Sequence, residues 1–281
     1  MQLSKYLKIY PYEASPDHLL LFSTKRSSKI LLPRKTLHSI ENGGISPSDE
    51  EVLSNLGFLV PDAEEEKETM LHALDDLNMN AKRFSGMVVL NLDCNLSCVY
   101  CYEGGMKGRH YLSEETADLL VDRIERNCMD AGMPVHLDFY GGEPLLSLKM
   151  IKGISARLSS SAEKKGLAYD FSLVTNGTLL TKKRVKDLLP LGLKSAKVTL
   201  DGPGQIHDSM RPFKSGLGSY SAILRNVVEV CGIVDVQISG NFIRENYGEF
   251  PRLLDDLIEK GVSPDKLSLV KFSPVGRTKG E

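Results

Sequence analysis

Met87-Val88-Val89-Leu90-Asn91-Leu92-Asp93-Cys94-Asn95-Leu96-Ser97-Cys98-Val99-Tyr100-Cys101 is the stretch from which the rest of the chain is read. Its first half is an apolar, β-branched run that reads as a buried strand. Its second half places three thiols, Cys94, Cys98 and Cys101, in eight residues. Thiolates select zinc, Cu(I) or iron–sulfur clusters. Three of them at the mouth of one strand can converge, yet they are one ligand short of a closed tetrahedral site. Structural zinc commonly recruits a second two-ligand knuckle, and no second C-x-x-C occurs. Cys128 and Cys231 fall on apolar helical stripes and read as core. A four-iron cluster on three cysteines leaves one iron open to an exogenous ligand, as catalytic metals keep one free position. A zinc knuckle completed by a distant His is the alternative.

Outward from that stretch the chain alternates strand and helix. Strands are predicted at Val88–Leu92, Val135–Tyr140, Asp170–Thr175, Ala196–Leu200, Val234–Ser239 and Leu267–Phe272. Helices are predicted from Ser113 as cap, with Leu120, Val121, Ile124 and Cys128 as apolar stripe. Others are expected over 150–164, 182–189, 220–230 and 250–260. This is an α/β pattern with right-handed crossovers and a parallel sheet. Eight units would close a barrel; six imply a partial (β/α)6 barrel or an open doubly wound sheet.

In such folds the carboxyl ends of the strands carry the chemistry. The three cysteines follow the first strand, and Tyr140-Gly141-Gly142-Glu143-Pro144 follows the second. Thr175-Asn176-Gly177-Thr178 ends the third, and Thr199-Leu200-Asp201-Gly202-Pro203 the fourth, with His207, Asp208 and Arg211 beyond. Gly240-Asn241 and Ser273-Pro274-Val275-Gly276-Arg277 close the fifth and sixth. Asn-Gly and Asp-Gly also suit plain turns, and His207 and Asp208 read as structural.

Residues 1–84 read differently. Strands are expected at 6–10, 19–24 and 29–32, then a helix over 34–40. A second helix starts at Ser46-Pro47, a short strand covers 58–61, and a charged helix runs from Ala63 to Arg83. This is a small α+β module of winged-helix-like order. A net charge of -2 in 281 residues argues against nucleic acid. An exposed strand edge would instead accept a peptide by strand addition; a module that only packs is the equal alternative. No run is long enough to span a membrane, no secretion signal opens the chain, and clustered thiols fit a reduced cytoplasmic setting.

The C-x-x-x-C-x-x-C spacing, with Tyr100 before the last cysteine, resembles the radical S-adenosylmethionine (radical SAM) enzymes. Residues 85–281 match that family's layout, a partial (β/α)6 barrel. The resemblance implies a [4Fe-4S] cluster on Cys94, Cys98 and Cys101, with SAM chelating the fourth iron and cleaving to a 5′-deoxyadenosyl radical. It implies that Gly141, Gly142 and Glu143 hold the SAM amino group. Tyr100, Asn176, Thr199, Asp201 and Arg211 complete the implied SAM contacts, Arg211 through the carboxylate. The Thr199–Pro203 run with Ile206-His207-Asp208 and Arg211-Pro212 is similar to SPASM-type peptide and protein maturases, including geopeptide-type ones. That likeness implies a precursor peptide or protein substrate, a leader-binding N-terminal module, and an external electron donor such as a flavodoxin or ferredoxin. No cysteine follows Cys231, so no auxiliary clusters are expected in this chain, which is either truncated or has dispensed with them. A non-catalytic peptide-binding protein with an incomplete barrel is the alternative.

Overall fold

Two units divide the chain, one over Met1–Ala81 and one from Lys82 onward. The computed structural model describes residues 1–276, apart from the side chains at 78 and 79. Arg277, at the end of the loop after the sixth strand, lies outside the described residues.

In the first unit, β1 (Gln2–Leu3) pairs antiparallel with β5 (Leu59–Val60). β2 (Leu7–Pro11), β3 (His18–Ser23) and β4 (Lys29–Pro33) form a separate antiparallel sheet. The helices are α1 (Arg34–Glu41), α2 (Pro47–Asn55) and α3 (Ala63–Met79). Ser46 caps α2 as expected, its hydroxyl accepting the Asp49 N–H at 3.2 Å. Leu19, Leu21, Leu37, Leu53 and Phe58 make the core. α3 stops short of Arg83, and Asn80 returns its amide to the Asp76 carbonyl at 2.8 Å. β1 was not expected: two residues paired with a strand 57 positions on leave no periodic signal.

The second unit is a six-stranded sheet. Its strands are β6 (Phe84–Val89), β7 (Val135–Tyr140), β8 (Tyr169–Thr175), β9 (Leu193–Thr199), β10 (Asp235–Phe242) and β11 (Leu267–Pro274). Every neighbouring pair is parallel, and the spatial order is the sequence order. That order excludes the doubly wound alternative, in which the strand order reverses at a switch point. Sequential strands joined by crossovers of one hand gather their helices on one face. These helices are α4 (Glu114–Ile124), α5 (Leu148–Lys165), α6 (Lys182–Leu188), α7 (Gly204–Met210), α8 (Tyr220–Val230) and α9 (Phe250–Glu259). Alternation follows from this. Leu137, Phe139, Leu173, Val198 and Ile238 are buried in the core, while Asp138, Ser172, Lys197 and Gln237 on the opposite face are half-buried. Cys128 and Cys231 are core residues, as read from their stripes. The uncovered face and the strand ends carry the site. Among the described residues no helix is long and apolar enough to cross a membrane.

Candidate functional site

The first strand ends earlier than expected, because Asn91 and Leu92 leave the sheet to build the loop. Asn91 Nδ2 donates to the Glu143 carbonyl at 3.1 Å and to Ser147 Oγ at 2.7 Å. Asp93 accepts from Tyr111 Oη at 2.7 Å and from Lys214 Nζ at 3.0 Å, and Tyr111 holds its carboxyl below the usual range. Asp93 also accepts the Cys94 N–H, so it starts the cysteine loop as a cap. The loop then lies antiparallel to the segment after α7. Ser97 N–H donates to the Pro212 carbonyl at 2.8 Å, Val99 N–H to Met210 at 3.0 Å, and Lys214 N–H to Asn95 at 3.0 Å. Nothing in the sequence marked this pairing, since α7 is one short turn-rich helix beginning Gly204-Gln205.

The Gly-Gly-Glu loop packs directly on this segment. Gly142 N–H donates to the Asn91 carbonyl at 3.0 Å and Glu143 N–H to Asp93 at 2.8 Å. A Cβ on Gly141 would sit 2.5 Å from the Asn91 carbonyl oxygen, and one on Gly142 would overlap the Asp93 carbonyl. The close backbone approach that these glycines permit is therefore first to the cysteine loop. Glu143 is fully buried, and its carboxylate accepts from Leu145 N–H (2.9 Å), Thr175 Oγ1 (2.8 Å) and Asn176 N–H (2.8 Å). Burial pushes its carboxyl up, against the pull of those donors. Glu143 does not line the cavity. Within the protein its carboxylate braces three loops; the amino-group contact implied by the family resemblance remains an expectation.

A second braced set forms around Tyr100. Its hydroxyl donates to Asp201 and accepts from Arg211 Nη1 at 2.6 Å and Asn241 Nδ2 at 3.1 Å. Asp201 also accepts Asn241 N–H at 2.7 Å and lies 3.8 Å from Arg211 Nη1. Burial raises the Tyr100 hydroxyl and the Asp201 carboxyl; Arg211 opposes both. Asp201 is fully buried and stands behind Tyr100, away from the cavity wall, where it supports the Tyr100 hydroxyl. His207 closes the layer beneath. Its Nδ1 accepts the Asp201 N–H at 3.2 Å, and Ser219 Oγ lies 3.1 Å from its Nε2. Ser219 spends its one hydroxyl proton on the Arg211 carbonyl at 2.6 Å, so the Nε2 carries the ring proton. Asp208 accepts the Tyr220 N–H at 2.8 Å. Both residues are structural, as their positions implied.

These elements enclose a cavity of about 560 Å³ at the strand ends, a size that takes a small cofactor. Cys94, Cys98, Cys101, Tyr100, Gly141, Gly142, Asn176, Thr199 and Arg211 all line it. Sequence reasoning missed Glu103, Lys107 and Asn241. The first two sit in and beside an aperiodic turn after the cysteines, whereas Asn241 is the penultimate residue of β10, a strand end read from the sequence without Asn241 being chosen. A larger groove of about 1280 Å³ lies along α7, α8 and α9, but it is open and holds none of the thiols.

Among the described residues no three His, Cys, Asp or Glu side chains converge as ligands of one ion do. A four-iron cluster takes its thiolates on separate irons and so accepts a wider spacing. Burial raises the Cys94 and Cys98 thiols, an obstacle that coordination to iron removes. Arg211 Nε is buried in the wall with no partner. An orphaned guanidinium donor beside three thiols suits an anionic group of a bound cofactor. The donor set fits a cluster with a carboxylate-bearing ligand.

Comparison with known proteins assigns the class. Residues 88–257 match the radical SAM superfamily, and the chain belongs to it. Members of this superfamily are enzymes whose cofactors are a [4Fe-4S] cluster and SAM. The chain is 31% identical over 182 residues to Fe-coproporphyrin III synthase of Methanosarcina barkeri, which covers 63% of this chain and 42% of that protein. It is 29% identical over 139 residues to the cysteine-type anaerobic sulfatase-maturating enzyme of Clostridium perfringens, covering 47% and 36%. Among solved structures, anSMEcpe with bound AdoMet superposes with a TM-score of 0.59 at 22% identity over 71% of this chain and 54% of that one. A form of anSMEcpe with AdoMet and the Cp18Cys peptide gives 0.53 at 22% identity, over 68% and 50%. The chain spans about two-fifths to one-half of the length of these relatives.

Proposed function

We propose that this chain is a peptide- or protein-modifying radical SAM enzyme, with Cys94, Cys98 and Cys101 as the cluster ligands. The observation that carries this reading is one cavity lined by three thiols, with the orphaned Arg211 Nε in its wall. Arg211 offers that donor to the SAM carboxylate, held in place by Tyr100 and, behind it, Asp201. Gly141, Gly142 and Thr199 supply backbone and hydroxyl surface for SAM. The cofactors supply one-electron reductive cleavage of SAM and hydrogen abstraction from the substrate; the chain orients them and limits water. An external one-electron donor of flavodoxin or ferredoxin type supplies the electron.

The substrate class rests on the Thr199–Pro203 run and on the fold shared with anSMEcpe, which is known with bound AdoMet and the Cp18Cys peptide. The first unit, read as winged-helix-like, supplies leader-peptide recognition. Ile9 and Tyr10 on β2 and Leu31 on β4 are exposed on the two edge strands of its sheet, where strand addition takes place.

Anaerobic reconstitution with iron and sulfide, followed by SAM and a reductant, tests the reading. About four irons per chain and release of 5′-deoxyadenosine are expected. Cluster binding without SAM cleavage would favour a non-catalytic peptide-binding protein. Cys98→Ala removes a direct ligand, so its loss of cleavage exceeds the ~10–100-fold typical of outer partners. Retained activity in that variant would sink the cluster assignment.

A further inference from the structure

The side-chain amide of Asn176 is fully committed within the protein. Its Oδ1 accepts the Thr178 N–H at 2.9 Å and the Thr178 hydroxyl at 2.6 Å. A backbone nitrogen only donates, so that end of the amide is oxygen and its orientation is determined. The Nδ2 end gives one N–H to Asn95 Oδ1 at 2.8 Å and the other to Cys94 Sγ at 3.6 Å. Asn95 closes a ring by donating its own Nδ2 to Thr178 Oγ1 at 2.8 Å. All four hydrogen-bonding positions of the Asn176 amide are used, and none is left for the ribose or carboxylate of a ligand.

The three thiols are not treated alike. Cys94 is 5% exposed and accepts a second N–H, from Leu96 at 3.4 Å. Among the described residues no other side chain donates to Cys94, Cys98 or Cys101. Asn176 is itself 4% exposed, so water does not compete for the contact. One side chain, oriented by a closed ring, is therefore aimed at one sulfur.

We propose that Asn176 is a positioning residue for the cluster and not a SAM contact: its amide N–H donates to the Cys94 thiolate and raises the reduction potential of the cluster held there. This rests on the reading of the three cysteines as cluster ligands. Reduction adds a negative charge that is shared with the thiolate sulfurs. A donor to sulfur therefore stabilises the reduced form more than the oxidised form. Asn95 and Thr178 act one step further out, by fixing which end of the amide faces the sulfur.

The test uses the whole chain, reconstituted anaerobically, in an EPR-monitored redox titration without SAM. Asn176→Ala should move the cluster midpoint to a more negative potential. Thr178→Val, which removes one anchor of the amide, should move it less and in the same direction. Iron content should stay at about four per chain in both variants. SAM affinity, measured by equilibrium dialysis on the oxidised cluster, should change by less than about threefold. An unmoved midpoint with full iron would overturn the proposal, and a more than tenfold weaker SAM affinity at an unmoved midpoint would return Asn176 to SAM. Should Asn176→Ala fail to hold iron, Thr178→Val decides by its midpoint. Wild-type chain that binds no iron overturns the cluster reading as well, which separates the two failures.

Discussion

His207 shows how much one buried side chain contributes to the wall behind the cavity. It is enclosed beneath Asp201 and Ser219, and burial lowers its pKa from 6.5 to about 3. The unfolded chain therefore binds a proton below pH 6.5 that the native chain refuses until about pH 3. Stability conferred by the neutral ring is complete above 6.5 and is lost as the pH falls through that window. At pH 5 the loss amounts to about 2 kcal/mol. Urea melts of the second unit from pH 7 to pH 5 should show this slope in the wild type and lack it in His207→Gln; parallel slopes would contradict the assignment. Residue identity was legible in the sequence more often than residue role. Cys94, Cys98, Cys101, Tyr100 and Arg211 line the cavity as expected, because the spacing along one loop and one strand end brought them there. Glu143 and Asp201 do not, since what a carboxylate accepts depends on which backbone N–H groups a distant loop presents. Thr175 and Asn176 lie more than thirty residues from Glu143, and no local pattern announces that meeting.

At the scale of elements, the strands of the second unit fall close to their predicted positions, because alternating apolar and polar residues on a sheet covered on one face are a direct record of burial. β7 and α8 match their predicted ranges outright. α7 escaped prediction: seven residues opening on Gly204 and holding one charged side chain give no helical period. Its absence from the predicted elements hid the support of the cysteine loop by residues 210–214. The loop has a second support in the Gly-Gly-Glu turn, and here geometry is unforgiving. Gly142→Ala drives a methyl group into the Asp93 backbone, which is not the yielding end of a flexible side chain. Overpacking of this kind costs about 1–3 kcal/mol. The displaced element is the one that begins the cysteine loop. Both a lower urea midpoint and a reduced iron content after reconstitution are therefore expected. Gly153→Ala, in α5 with open space around it, serves as the control and should leave both unchanged or slightly raise the midpoint. Equal iron content in the two variants would show that the cysteine loop does not depend on the turn.

For the whole molecule the question is whether the two units are thermodynamically separate. Each has its own core, and that of the first is small: Leu19, Leu21, Leu32, Leu37, Ile40, Leu53, Phe58 and Leu59. A unit of this size is marginal, because it buries a smaller share of its surface on folding than a larger domain does. Leu53 is 4% exposed within that core, and Leu53→Ala removes about 2–5 kcal/mol, a large share of what such a unit holds. The core of the second unit, built on six parallel strands, contains none of these residues. Thermal unfolding of Leu53→Ala should then show an early transition displaced to lower temperature and a late one unmoved. Iron content and SAM cleavage without peptide should match the wild type, since every residue assigned to the cavity lies beyond Lys82. A leader-recognition unit is expected to behave this way, because it brings the substrate to the site and adds nothing to SAM cleavage itself. If the late transition moves with the early one, or SAM cleavage falls with it, the first unit is part of the catalytic body and its reading as a separate recognition module fails.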